Sequence, residues 1–186
     1  MRVISGTARG TKLESIDSLS TRPTLDRVKE SLFNIISSKI QDANILDIFA
    51  GSGAIGIEFL SRGCTKAVLC DQSLEAIKII NKNLEKTHLK QNAKVMNMDY
   101  KKCLQNLANN KERFNIIFID PPYKADFAVD AVKIILSSNL LEKDGIIIIE
   151  TDEQDRDIEE LKELDVEIYD RRKYGRANLI FLVERG

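Results

Sequence analysis

The chain has 186 residues, 43% of them hydrophobic and 31% charged, with 28 Lys and Arg against 29 Asp and Glu. That length supports one substantial core rather than two full domains, and a formal charge of -1 neither requires nor rejects a nucleic-acid partner. Three cysteines without Cys-x-x-Cys spacing and a single histidine argue against a disulfide framework or a metal cluster. No apolar run approaches the roughly 18 residues that a membrane span needs, and no secretory leader is apparent, so a cytoplasmic protein is expected.

In chain order, "RVISG" and "TKLES" are predicted to pair as a small hairpin through "TARG". "TLDRVKESLFNIISSKI" (24–40) reads as one helix after Pro23, with Val28, Leu32, Ile35, Ile36 and Ile40 facing inward. This opening stretch is basic, carrying seven Lys and Arg against four acids over residues 1–39. From residue 44 apolar bursts alternate with helical patterns. "NILDIF" (44–49), "KAVLC" (66–70), "AKVMNM" (93–98), "FNIIFI" (114–119) and "GIIIIE" (145–150) are strand candidates. Several lack polar alternation, as strands covered on both faces should. "SLEAIKIINKNLEK" (73–86) places Leu74, Ile77, Ile80 and Leu84 on one helical face behind Ser73 as N-cap, and "DFAVDAVKIIL" (126–136) repeats the pattern. "VEIYDRR" (166–172) and "NLIFLVE" (178–184) flank the basic turn "RRKYGR", too short for a crossover, and should form an antiparallel hairpin. The expectation is an α/β fold with a mostly parallel, doubly wound seven-stranded sheet ending in that hairpin. No linker divides it, so 1–186 reads as one domain, with 1–40 a hairpin-plus-helix extension on a core of 41–186.

"DIFAGSGAIGIEFL" (47–60) sets Gly51, Gly53 and Gly56 in G-x-G-x-x-G spacing between a strand and a helix. Glycine permits the tight turn and a close approach of ligand to backbone. Asp71, twenty residues after Gly51, ends the second strand, where a carboxylate can accept the ribose hydroxyls of an adenosine ligand. Asp47, Asp71, Asp99 and Asp120 together place four acids at strand ends, which in an open parallel sheet line one crevice. A dinucleotide and S-adenosylmethionine both suit such a loop. Asp47 favours the second, since it could neutralise a methionine ammonium but would repel a pyrophosphate.

"IIFIDPPYKAD" (116–126) follows a buried strand with a carboxylate, two prolines and an aromatic ring. The prolines fix the backbone, so Asp120 and the Pro121 carbonyl could accept both hydrogens of an exocyclic base amine. Such acceptors favour a tetrahedral nitrogen and stabilise the positive charge that grows as it attacks a methyl group. Tyr123 offers a face on which a flipped-out base can stack.

At these motifs the sequence resembles a known family. "LDIFAGSGAIGIEFLSRG" with "FIDPPY" is similar to class I methyltransferases of Rossmann-like fold that act on exocyclic amines. "RVISGTARGTKL" and "RPTLDRVKESLFN" narrow the resemblance to the RsmD family of 16S ribosomal RNA guanine-N2 methyltransferases. The resemblance implies S-adenosylmethionine as cofactor and S-adenosylhomocysteine as product. It places Asp47, Phe49, Ala50, Gly51, Ser52 and Gly53 at the methionine, Asp71 at the ribose, and Gln72, Met98 and Asp99 around the adenine. It gives Asp120, Pro121, Pro122 and Tyr123 the target guanine, and Arg22, Thr24 and Arg27 contact with RNA at the mouth of the site. The partner implied is 16S ribosomal RNA or the assembling small subunit, bound by a monomer without metal or membrane. Three other readings use the same motifs: a DNA adenine-N6 methyltransferase, a nicotinamide-dependent oxidoreductase, and a non-catalytic RNA-binding protein.

Overall fold

A computed structural model describes residues 1–16, 23–122, 127–152 and 154–185, leaving aside the side chains of 23–26 and 154–155. The strands are β1 (Asn44–Asp47), β2 (Lys66–Asp71), β3 (Ala93–Asn97), β4 (Phe114–Ile119), β5 (Leu141–Thr151), β6 (Val166–Tyr174) and β7 (Ala177–Glu184). They form one sheet in the order β3-β2-β1-β4-β5-β7-β6. The first five are parallel, and β7 pairs antiparallel with both β5 and β6, as the hairpin expectation required. Strand order reverses between β1 and β4, so their carboxyl ends bound the crevice where open α/β sheets bind ligands.

Helices α1 (Pro23–Ile35), α2 (Ala54–Ser61) and α3 (Leu74–Thr87) cover one face of this sheet. The other is covered by α4 (Tyr100–Asn109), α5 (Phe127–Ser137) and α6 (Gln154–Leu161). Burial on both sides explains the unbroken aliphatic runs. Ile146 and Ile148 pack under α1–α3, while Ile147 and Ile149 pack under α4–α6, and all four are fully buried. Cys64, Cys70 and Cys103 are free and buried, serving as small core side chains.

Three expectations need correction. The helix read over 24–40 stops at Ile35, and Ser37–Lys39 tightens into a 3₁₀ turn closed by the Lys39 N–H on the Ile36 carbonyl at 2.9 Å. The adjacent serines, which compete for local backbone hydrogen bonds, explain the break. Leu74 is 66% exposed, because the packed face of α3 instead runs through Ala76, Ile80, Asn83, Leu84 and Thr87. The N-terminal hairpin is reduced to one antiparallel bridge, Arg2 with Lys12, plus flanking bonds such as Val3 N–H to the Thr11 carbonyl.

That hairpin does not extend because its outward donors are spent on α2. The Ile4 and Ser5 N–H groups donate to the Glu58 carboxylate at 2.8 and 2.9 Å. Glu58 is completely buried and also pairs with Lys29 Nζ at 3.2 Å and Arg62 Nε at 2.8 Å. Lys29 in turn donates to the Arg2 carbonyl at 2.6 Å. Gly6 sits at φ +83°, with the place of a Cβ only 1.7 Å from the Ser61 carbonyl oxygen, so the segment lies flat on the end of α2. Removing one partner from a buried ion pair costs about 3–5 kcal/mol. Glu58→Ala should therefore lower the urea-unfolding free energy by about that amount. A loss below about 1 kcal/mol would show that the node contributes little to the fold.

Candidate active site

β1 delivers its last residue, Asp47, into the interior with 1% of its surface exposed, and its Oδ1 has no hydrogen-bond partner among the described residues. Burial, helped by the nearby Asp71 charge, pushes its pKa from 3.8 up to about 7, against the opposing pull of the Phe49 and Gly56 backbone amides. A buried acceptor left unpaired is costly unless a ligand supplies the donor.

The glycine loop that follows is held from three sides. The Ala50 N–H donates to the Cys70 carbonyl at 2.9 Å, and the Gly51 N–H donates to Asp71 Oδ2 at 2.9 Å. Asn83 Nδ2 of α3 donates to the Ser52 carbonyl at 2.9 Å. Gly51 lies at φ +54° with no described atom within 4 Å of where a Cβ would stand, so its bare face opens into the crevice. Gly53, at φ +77°, starts α2. Gly56 serves packing instead, since a Cβ there would meet Leu69 Cδ2 at 2.0 Å; its absence lets α2 press onto β2.

Asp71 also accepts the Ser73 N–H on Oδ1 at 2.9 Å, so each of its oxygens holds backbone and keeps a further lone pair for a ligand. Asp99 is not a strand end. β3 stops at Asn97, and Asp99 caps α4 by accepting the Lys101 N–H at 2.9 Å, which short acidic side chains do well before a helix.

Two cavities meet at Phe49, Gly51 and Asp120. The larger, about 430 Å³, is lined by Asp71, Gln72, Met98, Asp99, Pro121 and Pro122 among others. Its aromatic wall comes from Phe49, Tyr100 and Phe127, whose ring centroids lie 5.2–6.3 Å apart. The smaller, about 220 Å³, contains Asp47, Ala50 and Ser52 and is roofed by Met1, Val28 and Leu32. Gly53 stays beneath the loop, buried.

The structure therefore brings together every cofactor residue expected from the sequence except Gly53, which supports from behind. Arg22 and Tyr123 lie outside the described residues, as does the Thr24 side chain; Arg27 is exposed on α1 and lines neither cavity.

Sequence reading missed three contributors. Glu150, at the end of β5, enters the smaller cavity, where burial lifts its carboxyl to about 7. Lys29 enters from α1. Asn83 braces the loop and also holds Glu14 by its N–H and carbonyl at 2.8 and 3.0 Å. The "GIIIIE" strand ended in the missed acid, and the strand-end rule used for the aspartates would have found it.

Asp120 stands where the two cavities join. It keeps open surface there, yet crowding by protein raises its pKa well above the ordinary value, with the charges of Glu150 and Asp47 adding to the effect. A crevice with three such carboxyls around a glycine loop repels a pyrophosphate and welcomes a cationic ligand. The residues present thus fit S-adenosylmethionine, which carries an ammonium and a sulfonium, better than a dinucleotide.

Residues 1–183 match the family described as Conserved hypothetical protein 95. The Bacillus subtilis protein YlbH is 38% identical over 188 residues, covering 100% of both chains. An Escherichia coli protein named Ribosomal RNA small subunit methyltransferase D is 37% identical over 152 residues, covering 82% of this chain and 75% of its own. The solved structure of Escherichia coli yhhF aligns at a TM-score of 0.81 and 29% identity, over 100% of this chain and 98% of that one. No helix among the described residues is long and apolar enough to cross a membrane.

The raised Asp47 pKa has a stability consequence with a definite sign. Its folded value of about 7 exceeds the unfolded value near 3.8, so the folded state binds more protons between them. The contribution is complete below pH 4 and is lost as pH rises through about 7. Asp47→Asn should raise the melting temperature of the ligand-free protein more at pH 8 than at pH 5. A difference independent of pH would contradict the buried, donor-starved carboxyl described above.

Proposed function

This chain belongs to the Conserved hypothetical protein 95 family, which is the RsmD family, and from that membership we propose that it methylates the exocyclic N2 amine of a guanine in 16S ribosomal RNA, with S-adenosylmethionine as donor. The observation that carries the reading is Asp120, which stands at the junction of a loop-side cavity holding Asp47 and a larger cavity holding Asp71. An acceptor at that junction faces both a cofactor lying across the glycine loop and a base entering from outside. Relatives named for ribosomal RNA small-subunit methylation support the substrate.

The bound cofactor supplies a methyl carbon made electrophilic by its sulfonium. The chain's residues do the rest by position and charge. Asp47 holds the ammonium, Asp71 takes the ribose hydroxyls through its spare lone pairs, and the Phe49–Tyr100–Phe127 wall borders the adenosine. Positive charge arriving in the crevice lowers the raised pKa of Asp120 and leaves it ionised as an acceptor. Asp120 and the Pro121 carbonyl then each take one hydrogen of the amine, and Tyr123 stacks on the base. No strong base is needed, because the methylated amine is far more acidic than the neutral one. Residues 1–40, with Arg22, Thr24 and Arg27, meet the RNA beside the core of 41–186. The protein works as a cytoplasmic monomer, with the RNA or the assembling subunit as its partner.

Small ribosomal subunits lacking the modification, incubated with radiolabelled cofactor and digested to nucleosides, should yield labelled N2-methylguanosine. No label on the subunits, with labelled N6-methyladenine in a parallel reaction given DNA, would overturn the reading. Asp120→Ala should reduce turnover by about 10²–10³-fold while cofactor affinity changes only severalfold. Loss of cofactor binding with an intact fold would remove Asp120 from the role given to it.

A further inference from the structure

The proposed reaction leaves unexplained how the site tells guanine from adenine, since an acid and a carbonyl suit either amine. The sheet register supplies a candidate. β4 and β5 are paired from Ile116 with Ile146 through Ile119 with Ile149, so Asp120 and Glu150 are the next residues along two neighbouring strands. Ile116, Phe118, Ile146 and Ile148 all lie in the core beneath α1–α3. Side chains alternate along a strand, so Asp120 and Glu150 project to that same face, about 4.8 Å apart from strand to strand. Both enter the smaller cavity. On its other side Glu150 is paired with Leu179 of β7, which offers no side-chain donor.

Resting on the guanine-N2 reading, we propose that Glu150 is the specificity-determining residue of this site: its carboxylate accepts the N1–H of the target guanine while Asp120 accepts an N2 hydrogen. Guanine presents two adjacent donors, N1–H and N2–H₂, and two adjacent carboxylates match that edge. Adenine presents a donor beside an acceptor, so its N1 lone pair would face the Glu150 carboxylate and be repelled. The smaller cavity also presents apolar side chains, Val28, Leu32 and Phe118, beside its acids. Burial raises both carboxyls, and at Asp120 the Glu150 charge adds to that effect; donors from one base would relieve both.

The test uses small subunits reconstituted with RNA in which the methylated guanine, located by nucleoside mapping, is replaced by 2-aminopurine. That analogue keeps the N2 amine but has an acceptor at N1. The wild-type enzyme should prefer guanine by about 10- to 100-fold in kcat/KM. Because 2-aminopurine also lacks the O6 carbonyl, the decisive quantity is how the ratio changes in variants. Glu150→Ala should bring it close to unity. Glu150→Gln, which keeps the shape and whose amide can donate to the N1 acceptor, should shift it towards the analogue. Equal use of both substrates by the wild type, or a wild-type ratio retained in either folded variant, overturns the proposal. Absence of N2-methylguanosine from unaltered subunits would instead overturn the reaction itself, and is seen before the analogue is used.

Discussion

Parallel strands in register place matched residues on one face, and that constraint decides the electrostatics of this molecule. Asp47 is paired with Phe118, and Asp120 and Glu150 follow two residues beyond Phe118 and Ile148 on the same side. Three carboxyls therefore gather at the carboxyl edge of three adjacent strands, over an apolar core that cannot solvate them. Ordinary packing would avoid this. Its persistence here marks a site built for charge that the polypeptide does not itself supply, since structural self-repulsion of this kind brings the folded state no benefit.

Asp120 keeps open surface, and the smaller cavity beside it is covered by the N-terminal segment and α1. Met1, Val28 and Leu32 form the roof, and the roof is pinned by Glu58, whose carboxylate gathers two backbone N–H groups and two cationic side chains. Asn83 pins the same segment at Glu14 while bracing the glycine loop at Ser52. The extension is thus coupled mechanically to the cofactor loop: one amide group touches both. A further link is the hydroxyl pair between Ser31 of α1 and Tyr174 at the hairpin tip, which ties the last strands to the same roof.

Much of this was legible in the sequence, for physical reasons. The aliphatic runs of β4 and β5 and the 3.6-residue rhythm of α3 report burial directly, and glycine spacing with proline pairs reports backbone geometry. Asp47, Asp71 and Asp120 were visible because each ends a recognisable strand. What remained hidden depends on tertiary contact. Glu58 lies within a helix that reads as merely hydrophobic, and nothing local says that its partners arrive from residues 4, 5 and 29. Asn83 looks like a solvent-facing amide until the loop and the N-terminal segment close on it. Leu74 errs the other way, since the apolar spacing did not fix which face of α3 packs, and the packed one runs through Ala76, Ile80, Asn83, Leu84 and Thr87.

Lys29 shows how the charge of the acid row is left to a ligand. It is the one basic side chain lining the smaller cavity among the described residues, so a salt bridge to Asp120 or Glu150 would be the simple way to settle the charge. Its ammonium is instead held by Glu58 at 3.2 Å and the Arg2 carbonyl at 2.6 Å. A Lys committed to the acid row would compete with a cationic cofactor for the same carboxylates. Committed to Glu58, it fixes the roof and leaves the acids to the ligand. The fold thus separates two jobs that one lysine could have confused, closing the site and answering its charge.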